Sequence, residues 1–581
     1  MKFTPQLLIA GTLLAQNVYC DDTSAGPRVL DKSQDVTYNG LNRNGIEVFL
    51  GIPFGEGISG PNRFKPPMPY TPARGSAVNA TSYGPACVQA QVPSNPPFSY
   101  TDVTAISEEC LNLNIGRPSG TTNDSRLPVM VYIYGGSFFL GQNREIATSP
   151  DGIVVESIEN GMPVIVVAVN YRLGIFGFAQ SGALEDEGSE NAGLRDQRLA
   201  VEWVRDHIDQ FGGNPEKITI FGQSSGGLAV GMQIMAYGGS KPVPFQQAIC
   251  ESQNNEPGIT GNFTIDAMKR VVDVVGCNTT SLHSAETVSC LRNLDTGTLL
   301  NASLLTYSDD ISDNIGDIWL PVVDGDFLPA APSELIKQGK FANVTTMIGF
   351  CDNDLTAFTD LSIKTDEQAH AFIQAYVPTM TRANVDKFLS LYPIDEFQTN
   401  EAANLSSQFY RTAQAFRDIL MVCQPLFYAE NLAKRGSDVY LYDWNQTISD
   451  QVLKGLDNET GLGVIHTSDL EYVFGNLSAY DNGEYPFHSS EADNALSSRG
   501  SRSWSTFAST GKPSAEYHNT FQGFTTAFPG GDEIDIFVAG GPHEGLSAID
   551  GPRANAALKA QNLRERCAFI NSDEIIEQLR Y

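Results

Sequence analysis

The stretch that most constrains this chain is Phe221-Gly222-Gln223-Ser224-Ser225-Gly226-Gly227. It follows Lys217-Ile218-Thr219-Ile220, a short β-branched run that reads as a buried strand. It precedes Leu228-Ala229-Val230-Gly231-Met232-Gln233-Ile234-Met235, which has the composition of a buried helix. Strand, Gly-x-Ser-x-Gly turn and helix are the context of a nucleophile elbow. The glycines have a physical reason: the turn strains the serine backbone, and flanking side chains would collide with the adjoining strand and helix. The Ser225 N–H then lies at a helix N-terminus, which favours developing negative charge. A plain Gly/Ser loop entering a helix shares this local pattern, so the rest of the chain must decide.

At 581 residues the chain needs several cores or one unusually large α/β core. Apolar strand-like runs recur at Pro128–Ile133, Val164–Val169, Ile218–Phe221, Gln246–Cys250, Val344–Phe350 and Val439–Tyr442. Helical patterns at Asp151–Asn160 and Asn191–Gln210 fall between them. Fully apolar strands alternating with helices predict an α/β fold: a large, mostly parallel central sheet flanked by helices. Pro257–Thr345 and Thr356–Ala433 read as mainly helical insertions. Alternation around Asn39-Gly40 and Asn44-Gly45 suggests opening hairpins. Gly55-Glu56-Gly57-Ile58-Ser59-Gly60 matches a dinucleotide fingerprint, but Pro61 to Pro67 cannot open the helix such a site needs. With no repeat or long linker, the expected organisation is a leader over 1–20 and one catalytic domain over 21–581.

The formal charge of −31 argues against phosphate backbones, so no nucleic-acid partner is expected. Lys2 and the short apolar run Leu7–Ala15 read as a secretory signal, with cleavage after Ala15 or after Cys20. No later run is long enough for a membrane span, so no stable insertion is expected. An exported chain gives meaning to the sequons at Asn79, Asn123, Asn262, Asn278, Asn301, Asn343, Asn404, Asn445, Asn458 and Asn476. If Cys20 leaves with the leader, eight cysteines remain, and none has metal-site spacing. The location expected is extracellular.

A serine nucleophile needs a histidine base and a carboxylate to orient it, in the chain order Ser, acid, His. His207 lies in a helix, and His283, His370, His488, His518 and His543 sit in polar, surface-like text. His466 differs: it closes the glycine-rich loop Gly461-Leu462-Gly463-Val464-Ile465-His466.

Several long motifs now carry a resemblance. Phe49-Leu50-Gly51-Ile52-Pro53-Phe54, Ser107-Glu108-Glu109-Cys110-Leu111-Asn112-Leu113-Asn114, Asn170-Tyr171-Arg172-Leu173-Gly174, Asn191-Ala192-Gly193-Leu194-Arg195-Asp196-Gln197, Phe211-Gly212-Gly213-Asn214-Pro215 and Phe507-Ala508-Ser509-Thr510-Gly511-Lys512-Pro513 stand in order around the elbow. The chain resembles the type-B carboxylesterases and lipases, α/β-hydrolases that include the cholinesterases and yeast-type extracellular lipases. The resemblance covers almost the whole mature chain. It implies Ser224 as nucleophile, His466 as base and Asp354, within Gly349-Phe350-Cys351-Asp352-Asn353-Asp354, as acid. The family usually has Glu at Asp354, so this turn must sit closer to His466; Asp352 is the local rival. It also implies an oxyanion hole from the amides of Gly136, Ser137 and Ser225, and disulfides Cys87–Cys110, Cys277–Cys290 and Cys423–Cys567. Cys250 and Cys351 are left as free thiols or as a bonded pair.

Ser137 replaces a family glycine and Ser225 an alanine. Gln223 replaces a glutamate, which predicts a less anionic pocket with weaker attraction for cationic substrates. The Cys87–Cys110 loop carries Val88, Val92, Phe98, Tyr100, Val103 and Ile106 but no tryptophan, so it lacks the usual aromatic platform for choline. Pro93, Pro96 and Pro97 make this short loop a poor interfacial lid. The expected function is a secreted serine carboxylic-ester hydrolase with no metal or organic cofactor, acting on a small-molecule or lipid ester. The alternatives are an interfacial triacylglycerol or sterol-ester lipase, and more distantly a non-catalytic adhesion or binding relative.

Overall fold

Strands that are apolar on both faces must be covered on both, and the main sheet follows that rule. The computed structural model describes residues 26–253, 255–314, 317–481 and 487–581, with backbone only over 307–314. The expected leader lies outside the described residues. The strands of the main sheet are β1 Leu41–Arg43, β2 Ile46–Pro53, β3 Asn112–Pro118, β4 Leu127–Ile133, β5 Ile165–Val169, β6 Gly213–Gln223, β7 Gln247–Glu251, β8 Thr345–Cys351, β9 Val439–Trp444, β10 Asp535–Ala539 and β11 Gly545–Ala548. Their order across the sheet is β11-β10-β9-β8-β7-β6-β4-β5-β3-β2-β1. From β5 to β10 every neighbouring pair is parallel. The edges β3-β2-β1 and β11 run antiparallel. All residues of β5 and β9 are buried, as a sheet covered on both faces requires.

The chain goes from β4 to β5 on one side and then crosses to β6 on the other. Such a reversal opens a crevice at the carboxyl ends of the strands. The loop after β4 and the elbow after β6 both lie at this switch point. Helix α1 (Asp151–Glu159) packs on α4 (Glu491–Thr510), and α2 (Ala192–His207) on α3 (Ser225–Met235). The two insertions are helical as read, with Phe263–Val274, Ala285–Arg292, Thr296–Asn314 and Pro332–Gln338 in the first. The second holds Asp366–Tyr376, Arg382–Ser390, Ser407–Arg417 and most of Cys423–Lys434.

The opening hairpins are half as expected. Asn44-Gly45 turns β1 into β2, with φ of 49° and 83°. At Asn39-Gly40 the chain instead leaves a small sheet of Arg28–Asp31, Val36–Asn39 and Ser76–Asn79 and enters the main one. The disulfides present are Cys87–Cys110, Cys277–Cys290 and Cys423–Cys567, and Cys250 and Cys351 are buried free thiols.

Candidate active site

Strand β6 ends at Gln223 and α3 begins at Ser225, leaving Ser224 at φ 58° and ψ −133°. A non-glycine residue held there costs about 1–3 kcal/mol. The surrounding bonds hold it: the Ser224 N–H donates to the Glu251 carbonyl at 2.9 Å, and its carbonyl accepts from the Leu228 N–H at 2.9 Å. A Cβ on Gly226 would stand 2.2 Å from the Ile133 carbonyl oxygen, so β4 and α3 approach only because that side chain is missing.

Strand β8 runs into the turn bearing Asp354, and His466 approaches from the loop after Leu462. The imidazole Nδ1 is 2.6 Å from Asp354 Oδ1. Both groups are buried. Asp354 Oδ2 also accepts the Cys351 N–H at 2.8 Å, which fixes the carboxylate. The rival Asp352 is engaged elsewhere: its Oδ1 accepts from Gln561 Nε2 at 3.1 Å. With Nδ1–H donated to Asp354, the second ring nitrogen is an acceptor. Gln223 Nε2 lies 3.1 Å from it. Ser224 and His466 line the same cavity. Among the described residues no hydrogen bond joins them; such bonds commonly tighten only when substrate binds. The Phe358 ring meets the imidazole edge-on at 5.6 Å.

The loop after β4 carries Gly136 at φ 109°, Ser137 at 56° and Phe138 at 53°. Gly136 and Ser137 line the cavity beside Ser224. The Ser137 side chain and the Glu256 carboxyl both lie beside the Asp317 carboxyl. Gln253 Nε2 donates to Glu256 Oε2 at 3.1 Å. Burial, and then the charge of Asp317, push the Glu256 carboxyl well above the usual range; burial also raises Asp317. Nothing in the local sequence marks this pair, because Glu256 and Asp317 stand 61 residues apart along the chain.

The cavity has a volume of about 310 Å³. Its apolar wall includes Val103, Tyr132, Tyr134, Phe139, Leu140 and Leu470, and no tryptophan lines it among the described residues. The Cys87–Cys110 loop supplies one side, with Val92, Pro93 and Phe98. Phe98 packs against Phe358 at 5.5 Å across the mouth. Glu145 holds this loop down by accepting the Tyr100 and Thr101 N–H groups at 3.0 and 3.2 Å. Sequence reading missed Glu145, since no motif surrounds it.

Of the sequon asparagines, Asn79, Asn123, Asn262, Asn278, Asn301, Asn343, Asn404 and Asn458 are exposed, and Asn445 is half-buried. Asn476 differs: its Nδ2 donates to the Ala147 and Ser149 carbonyls and its Oδ1 accepts the Gly152 N–H.

The strand order and the elbow at the switch point are those of the α/β-hydrolase class. Within it, the chain belongs to the carboxylesterase family, whose model matches residues 32–530. It is a carboxylic-ester hydrolase. It is 53% identical over 558 residues to a secreted lipase of Arthroderma benhamiae, covering 96% of this chain and 97% of that one. It is also 34% identical over 566 residues to an inactive carboxylesterase-like protein, VdtD, of Byssochlamys spectabilis, covering 94% of each. The crystal structure of Aspergillus niger EstA superposes with a TM-score of 0.76 at 23% identity, over 96% of this chain and 99% of that one.

Proposed function

We propose that the chain hydrolyses neutral carboxylic esters through an acyl-enzyme on Ser224. His466 takes the serine proton and returns it to the leaving alcohol, while Asp354 holds the imidazole in the required tautomer. The amides of Gly136, Ser137 and Ser225 hold the oxyanion, each donor worth roughly 3–4 kcal/mol by mutational precedent. Water then deacylates the serine by the same route. The observation that carries this reading is the buried 2.6 Å contact between His466 and Asp354, over the cavity that Ser224 lines. An intact set of these residues favours activity over the inactive state named for one relative.

The cavity is at the small end for a ligand site, and short acyl chains suit it. A second reading, action on long-chain lipid esters at an interface, is favoured by the mouth. Val92, Phe98, Phe358 and Leu361 are exposed there or close by, and relatives are named as lipases. Secretion is supported by the leader-like start, the disulfides and the name of a relative. Among the described residues no helix is long and apolar enough to cross a membrane. We place glycans on the exposed sequons and leave Asn476 bare. The test is hydrolysis of dissolved short esters against emulsified long-chain triglycerides, with Ser224→Ala as control. A rate that jumps when the ester passes its solubility limit favours the lipase; loss of neither activity in Ser224→Ala contradicts both readings.

A further inference from the structure

The residue after the proposed nucleophile carries a buried hydroxyl whose bonds run to the oxyanion loop. Ser225 Oγ accepts the Phe138 N–H at 3.2 Å. The Tyr171 hydroxyl donates to the Tyr134 carbonyl at 2.8 Å. The two bonds hold the loop from opposite ends, one at the amide of Phe138 and one at the carbonyl of Tyr134. Those two residues bracket Gly135-Gly136-Ser137. Tyr134 closes the arrangement, with its ring stacked on Tyr171 at 4.6 Å and its hydroxyl donating to the Tyr171 carbonyl at 3.2 Å.

This loop needs such a restraint. Ser137 and Phe138 are consecutive non-glycine residues in the left-handed region, at φ 56° and 53°. L-residues leave that region when nothing holds them. The Phe138 carbonyl is held as well, accepting the Gly174 N–H at 2.7 Å. Tyr134, Phe138, Tyr171 and Ser225 are all buried, so water does not compete for these bonds.

We propose that Ser225 is a positioning residue whose hydroxyl holds the Phe138 end of the oxyanion loop, as Tyr171 holds the Tyr134 end, and so sets the Gly136 and Ser137 amides relative to Ser224. This rests on the reading that those amides hold the oxyanion. Ser225 then serves twice, with its own amide turned toward the reacting carbonyl and its hydroxyl turned away to brace the other donors. Alanine there keeps the first role and loses the second.

The experiment measures Ser225→Ala, Tyr171→Phe and the double variant on a soluble neutral ester, together with inhibition by an alkyl boronic acid, which mimics the tetrahedral intermediate. Each single variant lowers kcat roughly 10-fold with KM within about twofold, less than the ~10²–10³ of losing a donor outright. Boronate affinity falls by the same factor as kcat/KM, a readout that general loosening of the fold does not move selectively. The double variant loses more than the poorer single one, because the loop is then freed at both ends. If either variant fails to fold, the other carries the test. Wild-type kcat and boronate affinity in the folded variants overturn the clamp, as do losses in kcat with boronate affinity intact. Ser224→Ala separates the two levels: activity retained there overturns the underlying reading, whereas an inactive Ser224→Ala beside an unimpaired Ser225→Ala overturns the clamp alone.

Discussion

Asn353 is stitched to Val464 from both sides: its N–H donates to the Val464 carbonyl at 3.0 Å, and its Oδ1 accepts the Val464 N–H at 2.9 Å. The neighbouring Thr356 hydroxyl donates to the Leu462 carbonyl at 2.6 Å, and the His466 N–H to the Asp354 carbonyl at 3.1 Å. These bonds join the turn bearing the carboxylate to the loop bearing the imidazole. They explain how aspartate, one methylene shorter than glutamate, still reaches the ring. Asn353→Ala removes the side-chain acceptor and leaves the Asp354 and His466 side chains in place. We expect kcat to fall by roughly 10-fold through misplacement of the pair. The loss of stability is about 1 kcal/mol, read from denaturant melts.

The two aspartates of this turn give opposite outcomes. Asp354→Asn should lower kcat by roughly 10³–10⁴, since an amide cannot hold the imidazole in the same tautomer. Asp352→Asn should leave kcat within about threefold and act on stability, because its carboxylate faces Gln561 and Arg417 rather than the ring. Steady-state kinetics on one soluble ester separates them.

Gln223 places a neutral amide against the imidazole where a carboxylate would add a charge. Gln223→Glu should raise kcat/KM for a cationic choline-type ester relative to its neutral isostere by a few-fold. The gain should shrink with added salt, because it arises from a nearby anion. Wild-type protein that already prefers the cationic ester by a wide margin contradicts this account of the pocket.

Stability should fall as pH rises from about 5 to 8. Burial, and then the charges of Glu185 and Asp324, push Glu190 up to about 7. An unfolded glutamate titrates near 4.5. Between these values the folded state holds a proton that the unfolded state has released, so raising the pH favours unfolding until the folded group ionises too. Burial acts in the same direction on Asp469, which rises to about 6. Glu190→Gln should flatten the fall, leaving Tm at pH 8 higher relative to pH 5 by on the order of 2 °C. Melting curves across this range check the sign.

Where apolar runs signal strands, the sequence was legible: β4 to β9 all lie where it places them. Strand β3 was not, because Asn112, Asn114 and Arg117 interrupt it. Each is buried but satisfied by a neighbour: Asn112 by the Pro85 carbonyl, Asn114 by the Gly51 amide and Arg117 by Glu47. The elbow was legible because its glycines serve local sterics. Asn353, Glu145 and the Glu256–Asp317 pair were not, because their partners are 44 to 111 residues away along the chain. Asn39-Gly40 misled for a related reason: turn chemistry is local, whereas which sheet a strand joins is decided by tertiary packing.

The account stands most directly on the labelling of folded protein by a fluorophosphonate, with the modified residue located by mass spectrometry. It predicts a single adduct on Ser224, with labelling slowed at least about 10³-fold in His466→Ala because the hydroxyl has lost its base. An unlabelled Ser224 in folded wild-type protein, or full-speed labelling without His466, would contradict it.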